Sequence, residues 1–210
     1  MSDIPVSKAF ADTERETEAD RFGMWIFLAT EAMLFGAILL GYFILRLKYH
    51  DAFAAGSSQL SLPLATANTA ILLTSSFAMA IGAETARSGA LRCAHRALWA
   101  TALLGAAFLA VKAYEYHDDW DKGLLPALGV FHYTGPNAGE MALFLNFYLA
   151  STALHATHLL IGILMVAFLA LPSRLPTPRR ARRIESVGLY WHFVDIVWVF
   201  LFPLLYLVQR

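Results

Sequence analysis

The sequence predicts an all-α, polytopic membrane protein with five transmembrane helices. Of its 210 residues, 58% are hydrophobic, and the mean hydropathy is +0.54, which exceeds the apolar share of an ordinary soluble domain. The apolar residues form five runs, each long enough at about 1.5 Å per residue to cross a hydrocarbon core of about 30 Å. We therefore predict a polar N-terminal tail over residues 1–21 and a five-helix transmembrane domain over 22–210.

The first three helices are predicted over 22–45, 64–86 and 94–116. The first contains a single charged residue, Glu31, in an otherwise apolar run. A polar stretch from His50 to Pro63 separates the first helix from the second. All three runs are long enough to span a bilayer.

The last two helices are predicted over 140–171 and 187–208. An irregular stretch, 118–139, precedes them and is rich in Gly, Pro and Asp. The run 140–171 is the longest, so its helix must tilt or extend beyond the membrane. Between the two helices lie prolines and a basic linker, formed by Pro172, Pro176, Pro178, Arg179, Arg180, Arg182 and Arg183.

The distribution of basic residues predicts the orientation. Eleven Lys and Arg fall on the side of the N-terminal tail, against five on the other side. Because basic loops resist translocation, we expect the N-terminus in the cytoplasm and the C-terminus in the periplasm. Glu31 and Asp195 then lie in the inner half or the middle of the membrane.

Composition excludes several classes of function. Acidic and basic residues balance at 16 each, so no overall charge indicates binding to nucleic acid. The single cysteine, Cys93, forms neither an internal disulfide nor a zinc knuckle and is expected to be a small filler residue. The first 21 residues lack the pattern of a cleaved signal peptide, so we expect a retained surface tail.

Glu31 is the first candidate functional residue. A lone carboxylate at mid-membrane costs several kcal/mol, so this group must be protonated, paired, or turned towards a wet or protein-lined interior. Two interpretations remain open. Glu31 handles protons, or it is a protonated carboxyl hydrogen-bonded to a neighbouring helix.

Histidines on the last two predicted helices form the second candidate group. His155 and His158 share a helix face, as do His192 and Asp195, so a metal site is conceivable. Membrane di-metal hydroxylases and desaturases need more histidines than this chain offers, and we expect neither a metal nor a haem here. Interhelical hydrogen bonding is the favoured use, in a polar network of Asn68, His155, His158, Trp191, His192 and Asp195.

Lys112 and Glu115 form a third candidate site at the outer end of the third predicted helix. Their spacing of three places them on one helix face. We expect a local ion pair, or a lysine that extends to the membrane surface beside an interfacial acid.

Four stretches of the chain carry a family resemblance: FGMWIFLATEAMLF (22–35), ANTAILLTSS (67–76), LHATHLLIG (154–162) and YWHFVDIVWVFLF (190–202). In this order they resemble the subunit III family of haem–copper terminal oxidases. Glu31 lies in the stretch similar to the family's helix with a buried glutamate. The segment KAYEYH also fits, with Glu115 at the family's acidic position and Lys112 where a neutral polar residue is common.

This resemblance implies a five-helix bacterial form that lacks the first two of the family's seven helices and lies in the inner membrane. It implies an accessory role, with no cofactor in this chain and with haem and copper in partner subunits. The partners are catalytic subunit I, subunit II and phospholipid held in a cleft. The resemblance further implies support of proton uptake during oxygen reduction and assigns Glu31 to a buried, carbodiimide-reactive position.

Two other functions remain open. The closing segment FPLLYL, residues 202–207, also suits a subunit-III-like protein associated with nitric oxide reductase. A stand-alone membrane metalloenzyme that uses the histidines is a separate alternative. Either cytochrome c or quinol is compatible with the sequence as the electron donor of an oxidase.

Overall fold

The computed structural model describes residues 13–171 and 177–208, and these residues are almost entirely helical. Five of the helices are long and apolar enough to cross a membrane, which confirms the predicted all-α fold with five spans. A sixth, short helix and a two-stranded hairpin connect them. The elements are α1 (Thr13–Lys48), α2 (His50–Gln59), α3 (Leu62–Arg87), α4 (Leu91–Asp121), β1 (Leu124–Leu125), β2 (Val130–Phe131), α5 (Ala138–Ala170) and α6 (Thr177–Tyr206).

Helix α1 packs on α5 and α6 along one narrow stripe. Its buried apolar residues Leu28, Phe35 and Tyr42 are spaced by seven, so they lie on one face of the helix. The hydroxyl of Tyr42 donates to the carbonyl of Leu204 on α6. Between residues 22 and 47 the remaining surface of α1 is largely apolar and exposed, as a lipid-facing or subunit-facing surface would be, at Phe22, Trp25, Ile26, Met33, Leu40 and Leu47.

Helix α2 lies in the polar stretch that the sequence places between the first two spans. Its buried face carries Phe53, Ala54 and Gly56 and packs against α5. A Cβ on Gly56 would lie 2.4 Å from Cδ1 of Phe144, so only glycine permits this approach. Most of the buried face consists of small residues, which explains why hydropathy alone does not reveal the helix.

Helices α3 to α6 form a four-helix bundle. Helix α3 packs on α4 and α6, and α5 packs on the same two helices. Two tryptophans of α6 fill the interior and are almost completely buried, Trp191 and Trp198. The indole of Trp191 fits against Gly105 of α4 and Gly162 of α5, where added Cβ atoms would lie 2.7 and 3.2 Å from it.

The connection between α4 and α5 is a small hairpin. Strands β1 and β2 pair antiparallel, and a left-handed Gly129, with φ of 77°, lies between them. Leu124 and Leu125 are buried, and β1 contacts both α4 and α5. Helix α4 continues to Asp121, past the predicted end at residue 116, and this extra turn brings Asp119 into the protein interior.

Candidate functional site

Glu31 on α1 and His158 on α5 are hydrogen-bonded. Nε2 of His158 lies 2.8 Å from Oε2 of Glu31, and Nδ1 of the same ring lies 2.9 Å from the carbonyl oxygen of Leu154. A carbonyl oxygen only accepts, so Nδ1 carries a hydrogen. The contact at Nε2 is therefore either a neutral imidazole accepting from a protonated carboxyl or an imidazolium donating to a carboxylate. Both forms hold one proton between the two residues.

Aromatic side chains surround this pair without sealing it. The ring of Phe35 meets the His158 ring edge-on at 5.2 Å, and the hydroxyl of Tyr190 donates to the His158 carbonyl at 3.0 Å. The side chains of His158 and Glu31 remain 12% and 17% exposed. The described residues thus shield the pair without enclosing it completely.

His192 and Asp195 lie near the α3–α6 contact. Nδ1 of His192 lies 2.6 Å from the hydroxyl oxygen of Ser76 on α3. Asp195 is 4% exposed and close to the same hydroxyl, but neither of its oxygens has a partner in hydrogen-bond geometry among the described residues. Ser76 thus links the two helices through His192.

The other predicted network residues occupy separate positions in the bundle. His155 is fully buried between the rings of Phe108 and Trp198, at centroid distances of 5.6 and 5.1 Å. Neither ring nitrogen of His155, nor Nε1 of Trp191, has a hydrogen-bond partner within the described part of the chain. The side-chain amide of Asn68 donates to the carbonyl of Phe108 at 3.3 Å. The functional roles of these residues stay predictions.

A cluster of charged and phenolic side chains lies at the C-terminal ends of α4 and α6, and we call it the Lys112 cluster. Its members are all 2% exposed or less, so Lys112 does not extend to the surface. Lys112 Nζ donates to Oε2 of Glu115 at 3.0 Å, which is the expected ion pair. The cluster comprises Lys112, Glu115, Asp119, Tyr148 and Tyr206.

The two tyrosines complete the hydrogen bonds of the Lys112 cluster. Lys112 Nζ also contacts the hydroxyls of Tyr206 at 3.0 Å and of Tyr148 at 3.3 Å. Tyr206 donates to Oε1 of Glu115 at 2.6 Å. The hydroxyl of Tyr148 lies between two acceptors, 3.2 Å from Oε1 of Glu115 and 2.9 Å from Oδ2 of Asp119.

Sequence reasoning did not find Asp119, Tyr148, Tyr206 or Ser76 as site residues. The spacing of Lys112, Glu115 and Asp119 is three and then four, which places them on one face of a helix and could have indicated the third member. The tyrosines belong to other helices. Their contacts depend on the packing of α5 and α6 against α4, which no local pattern indicates.

A basic cleft of about 570 Å³ opens at the opposite end of the bundle. Arginines of α1 and α6 form one part of its wall, and apolar side chains of α1, α5 and α6 form the other. Arg87 and Glu185 form an ion pair that joins α3 to α6 at this end. The cleft is lined by Arg21, Arg179, Arg182, Arg183, Asp20 and Glu185 together with Met24, Met165, Phe168, Leu169, Val187, Leu189 and Ser186.

The described residues contain no group of three or more His, Cys, Asp or Glu side chains that could hold a metal ion. His155 and His158 lie on one helix, but their contacts are with different partners: two aromatic rings for His155, and Glu31 for His158. His155 and His158 therefore do not face a common centre.

The model of the cytochrome c oxidase subunit III family matches residues 8–209. The chain belongs to this family. It is 32% identical over 191 residues to cytochrome c oxidase subunit 3 of Thermostichus vulcanus, covering 90% of this chain and 87% of the relative. It is 30% identical over 190 residues to a cytochrome bo(3) ubiquinol oxidase subunit 3 of Pseudomonas aeruginosa, covering 89% and 84%. The resemblance found in the sequence is thereby confirmed.

A further subunit III relative is part of a longer protein. The heme-copper oxidase subunit I+III of Aeropyrum pernix is 27% identical over 196 residues, which cover 90% of this chain and 22% of that protein. The subunit III family thus includes members named for cytochrome c oxidases, quinol oxidases and a joined subunit I+III. This chain is a subunit III of the haem–copper oxidases and a multi-pass membrane protein.

Proposed function

We propose that this subunit III stabilises catalytic subunit I of a bacterial respiratory oxidase and sustains its proton uptake during oxygen reduction. Subunits I and II hold the haem and copper, and the complex lies in the inner membrane. The observation that carries the proposal is the bond between Glu31 and His158, which holds one proton at a partly exposed site on a membrane-spanning helix. Such a pair can accept and return a proton without a cofactor.

The relative from Aeropyrum pernix supports a position beside subunit I. Its printed name joins subunits I and III in one protein, so the segment that matches this chain is tethered to subunit I there. In this chain, α1 presents a broad apolar surface with Trp25 and Met33 more than half exposed. An apolar helix face in a membrane suits either lipid or another helical subunit.

The orientation predicted from the basic residues indicates the side of the membrane to which the Glu31–His158 pair is nearer. The excess of Lys and Arg on the side of the N-terminus favours a cytoplasmic N-terminus and a periplasmic C-terminus. Glu31 then lies roughly 15 Å along α1 from Arg21, in the inner half or middle of the membrane. A proton held by Glu31 and His158 is thus closer to the cytoplasmic side, from which an oxidase takes up protons.

The basic cleft supports phospholipid binding. Arg21, Arg179 and Arg183 line a cavity whose remaining wall is mostly apolar, and its volume of about 570 Å³ accommodates a headgroup and the first part of its acyl chains. Guanidinium groups bind phosphate through charge-assisted hydrogen bonds, and apolar side chains favour the acyl region. We therefore assign the structural lipid to this cleft and expect it to be anionic.

Purification of the tagged full chain after gentle detergent extraction tests the proposal. We expect subunits I and II to co-purify, together with haem and copper in their proteins. Co-purification with a nitric oxide reductase pair would instead favour the alternative association. Stoichiometric iron or zinc in the isolated chain would overturn the accessory role in favour of a metalloenzyme.

A further inference from the structure

We propose that the Lys112 cluster is a proton-binding site, in which one exchangeable proton resides on Asp119 and is coupled to Glu115 through the hydroxyl of Tyr148. The site lies at the C-terminal ends of α4 and α6, at the far end of the bundle from the basic cleft. It shares no residue with the Glu31–His158 pair. The inference is therefore independent of the proposed function.

The charge of the cluster is the first argument. One cation, Lys112, faces two carboxyl groups, Glu115 and Asp119, and these three residues are 2%, 0% and 1% exposed. If both carboxyls were ionised, one buried negative charge would have no counter-charge, which is costly away from water. One added proton makes the cluster neutral.

The donors of Lys112 indicate which carboxyl takes the proton. An ammonium has three hydrogens, and those of Lys112 are directed to Glu115, Tyr148 and Tyr206. Glu115 also receives the hydroxyl hydrogen of Tyr206 at 2.6 Å, so its carboxylate form is well stabilised. Asp119 has no direct contact with the ammonium in this arrangement and is the carboxyl that is neutral.

Tyr148 couples the two carboxyls because its single hydroxyl hydrogen has two acceptors. When Asp119 is ionised, Tyr148 donates to its Oδ2 across 2.9 Å. When a proton from water forms an O–H bond at Oδ2, Asp119 donates to the Tyr148 oxygen, and the Tyr148 hydrogen turns to Oε1 of Glu115 across 3.2 Å. One proton is gained, one hydrogen bond is redirected, and no heavy atom has to move.

The other polar and charged side chains near the Lys112 cluster have contacts of their own and leave its charge balance unchanged. The hydroxyl of Tyr116 on α4 is bonded to Thr152 of α5 at 2.6 Å, and β1 contributes only leucines. Lys122, just after α4, pairs with Asp118 at the partly exposed end of the helix. His155 of α5 and Lys112 both contact the ring of Trp198, at 5.1 and 5.7 Å from its centroid.

Hydrogen-bond acceptors surround the ammonium of Lys112. Its three hydrogens are directed to Glu115, Tyr148 and Tyr206, and the contact with the Glu115 carboxylate favours the charged form. The ring centroid of Tyr116 lies 5.0 Å from Nζ. We therefore treat Lys112 as the positive charge of the site and a carboxyl proton as the one that exchanges.

Infrared spectroscopy of the full chain in lipid nanodiscs tests this site, because a protonated carboxyl has a C=O band distinct from the bands of a carboxylate. With ¹³C-labelled aspartate, we expect an aspartic acid band at neutral pH that disappears as the pH is raised. Asp195 is a second buried aspartate, so the spectra are recorded in the Asp195→Asn background, in which the further substitution Asp119→Asn should abolish this band. The matched control Asp51→Asn changes a carboxyl whose side chain is 94% exposed and should leave the band intact.

Two further variants keep the test decisive. In Asp195→Asn, which leaves the cluster untouched, the same pH-dependent band must remain. In Tyr148→Phe, Asp119 loses its hydrogen-bond partner, so we expect the band to move to higher frequency and its disappearance to shift to higher pH. A band unaffected by Asp119→Asn, or the absence of a pH-dependent aspartic acid band in Asp195→Asn, would overturn the inference.

Discussion

The indole of Trp191 on α6 lies so close to Gly105 on α4 that a Cβ at residue 105 would be 2.7 Å from its Cη2 atom. Gly162 of α5 borders the same indole from another helix. Trp191 is completely buried, and its ring fills the space where α4, α5 and α6 meet. The packing of this tryptophan against two glycines sets how closely the three helices approach.

Gly105→Ala should therefore destabilise the protein. Its new methyl group would overlap Trp191 and also lie 3.0 Å from Cγ1 of Ile163, and such overpacking costs about 1–3 kcal/mol. Thermal unfolding in detergent, followed by circular dichroism, measures the change. Gly36→Ala is the matched control, because nothing lies within 4 Å of its added Cβ. Equal stability of the two variants would contradict the packing described here.

Lys112→Met should destabilise the bundle more strongly. The substitution removes the cation while Glu115 and Asp119 remain buried, and breaking a buried ion pair in this way costs about 3–5 kcal/mol. The double variant Lys112→Met/Glu115→Gln removes both charges and should recover part of the loss. Unfolding in a denaturing detergent measures the stability of the single and the double variant. A double variant less stable than the single one would show that Lys112 acts through packing rather than charge.

Substitution of arginines in the basic cleft should reduce the lipid that co-purifies. Arg179→Gln/Arg183→Gln removes two guanidinium groups from the cleft wall. We expect native mass spectrometry to show less bound anionic phospholipid and unchanged zwitterionic lipid. Arg92→Gln, an exposed arginine outside the cleft, is the control. Equal lipid content in the two variants would contradict the assignment of lipid to this cleft.

The five spans could be predicted from the sequence because hydropathy over a long window depends only on local composition. Helix α2 could not, since its buried face is made largely of alanine, glycine and serine and its burial depends on Phe144 of α5. Helix α4 extends beyond its predicted end at residue 116, to Asp121. The polar residues after Tyr116 resemble a loop, yet Asp119 is buried by contacts with the distant Tyr148.

For the candidate site too, the sequence indicates individual residues but not the contacts between distant ones. Glu31 and His158 could each be singled out, because an ionisable residue in an apolar run needs a partner. Their pairing could not be deduced, since 127 positions separate them and His155 was an equally good partner by spacing. The register between α1 and α5 decides which histidine contacts Glu31. That register depends on the stripe of Leu28, Phe35 and Tyr42 packing against the bundle.

The central claim is that the Glu31–His158 pair supports proton uptake by an oxidase whose cofactors lie in other subunits. Glu31→Gln in the intact complex tests it most directly, because glutamine keeps the shape and a hydrogen bond but carries no exchangeable acid proton. We expect unchanged haem absorption and a severalfold slower proton uptake during oxygen reduction, with Asp51→Asn matching the unmodified complex. Unchanged proton uptake, or a bleached haem spectrum in an assembled complex, would contradict the claim.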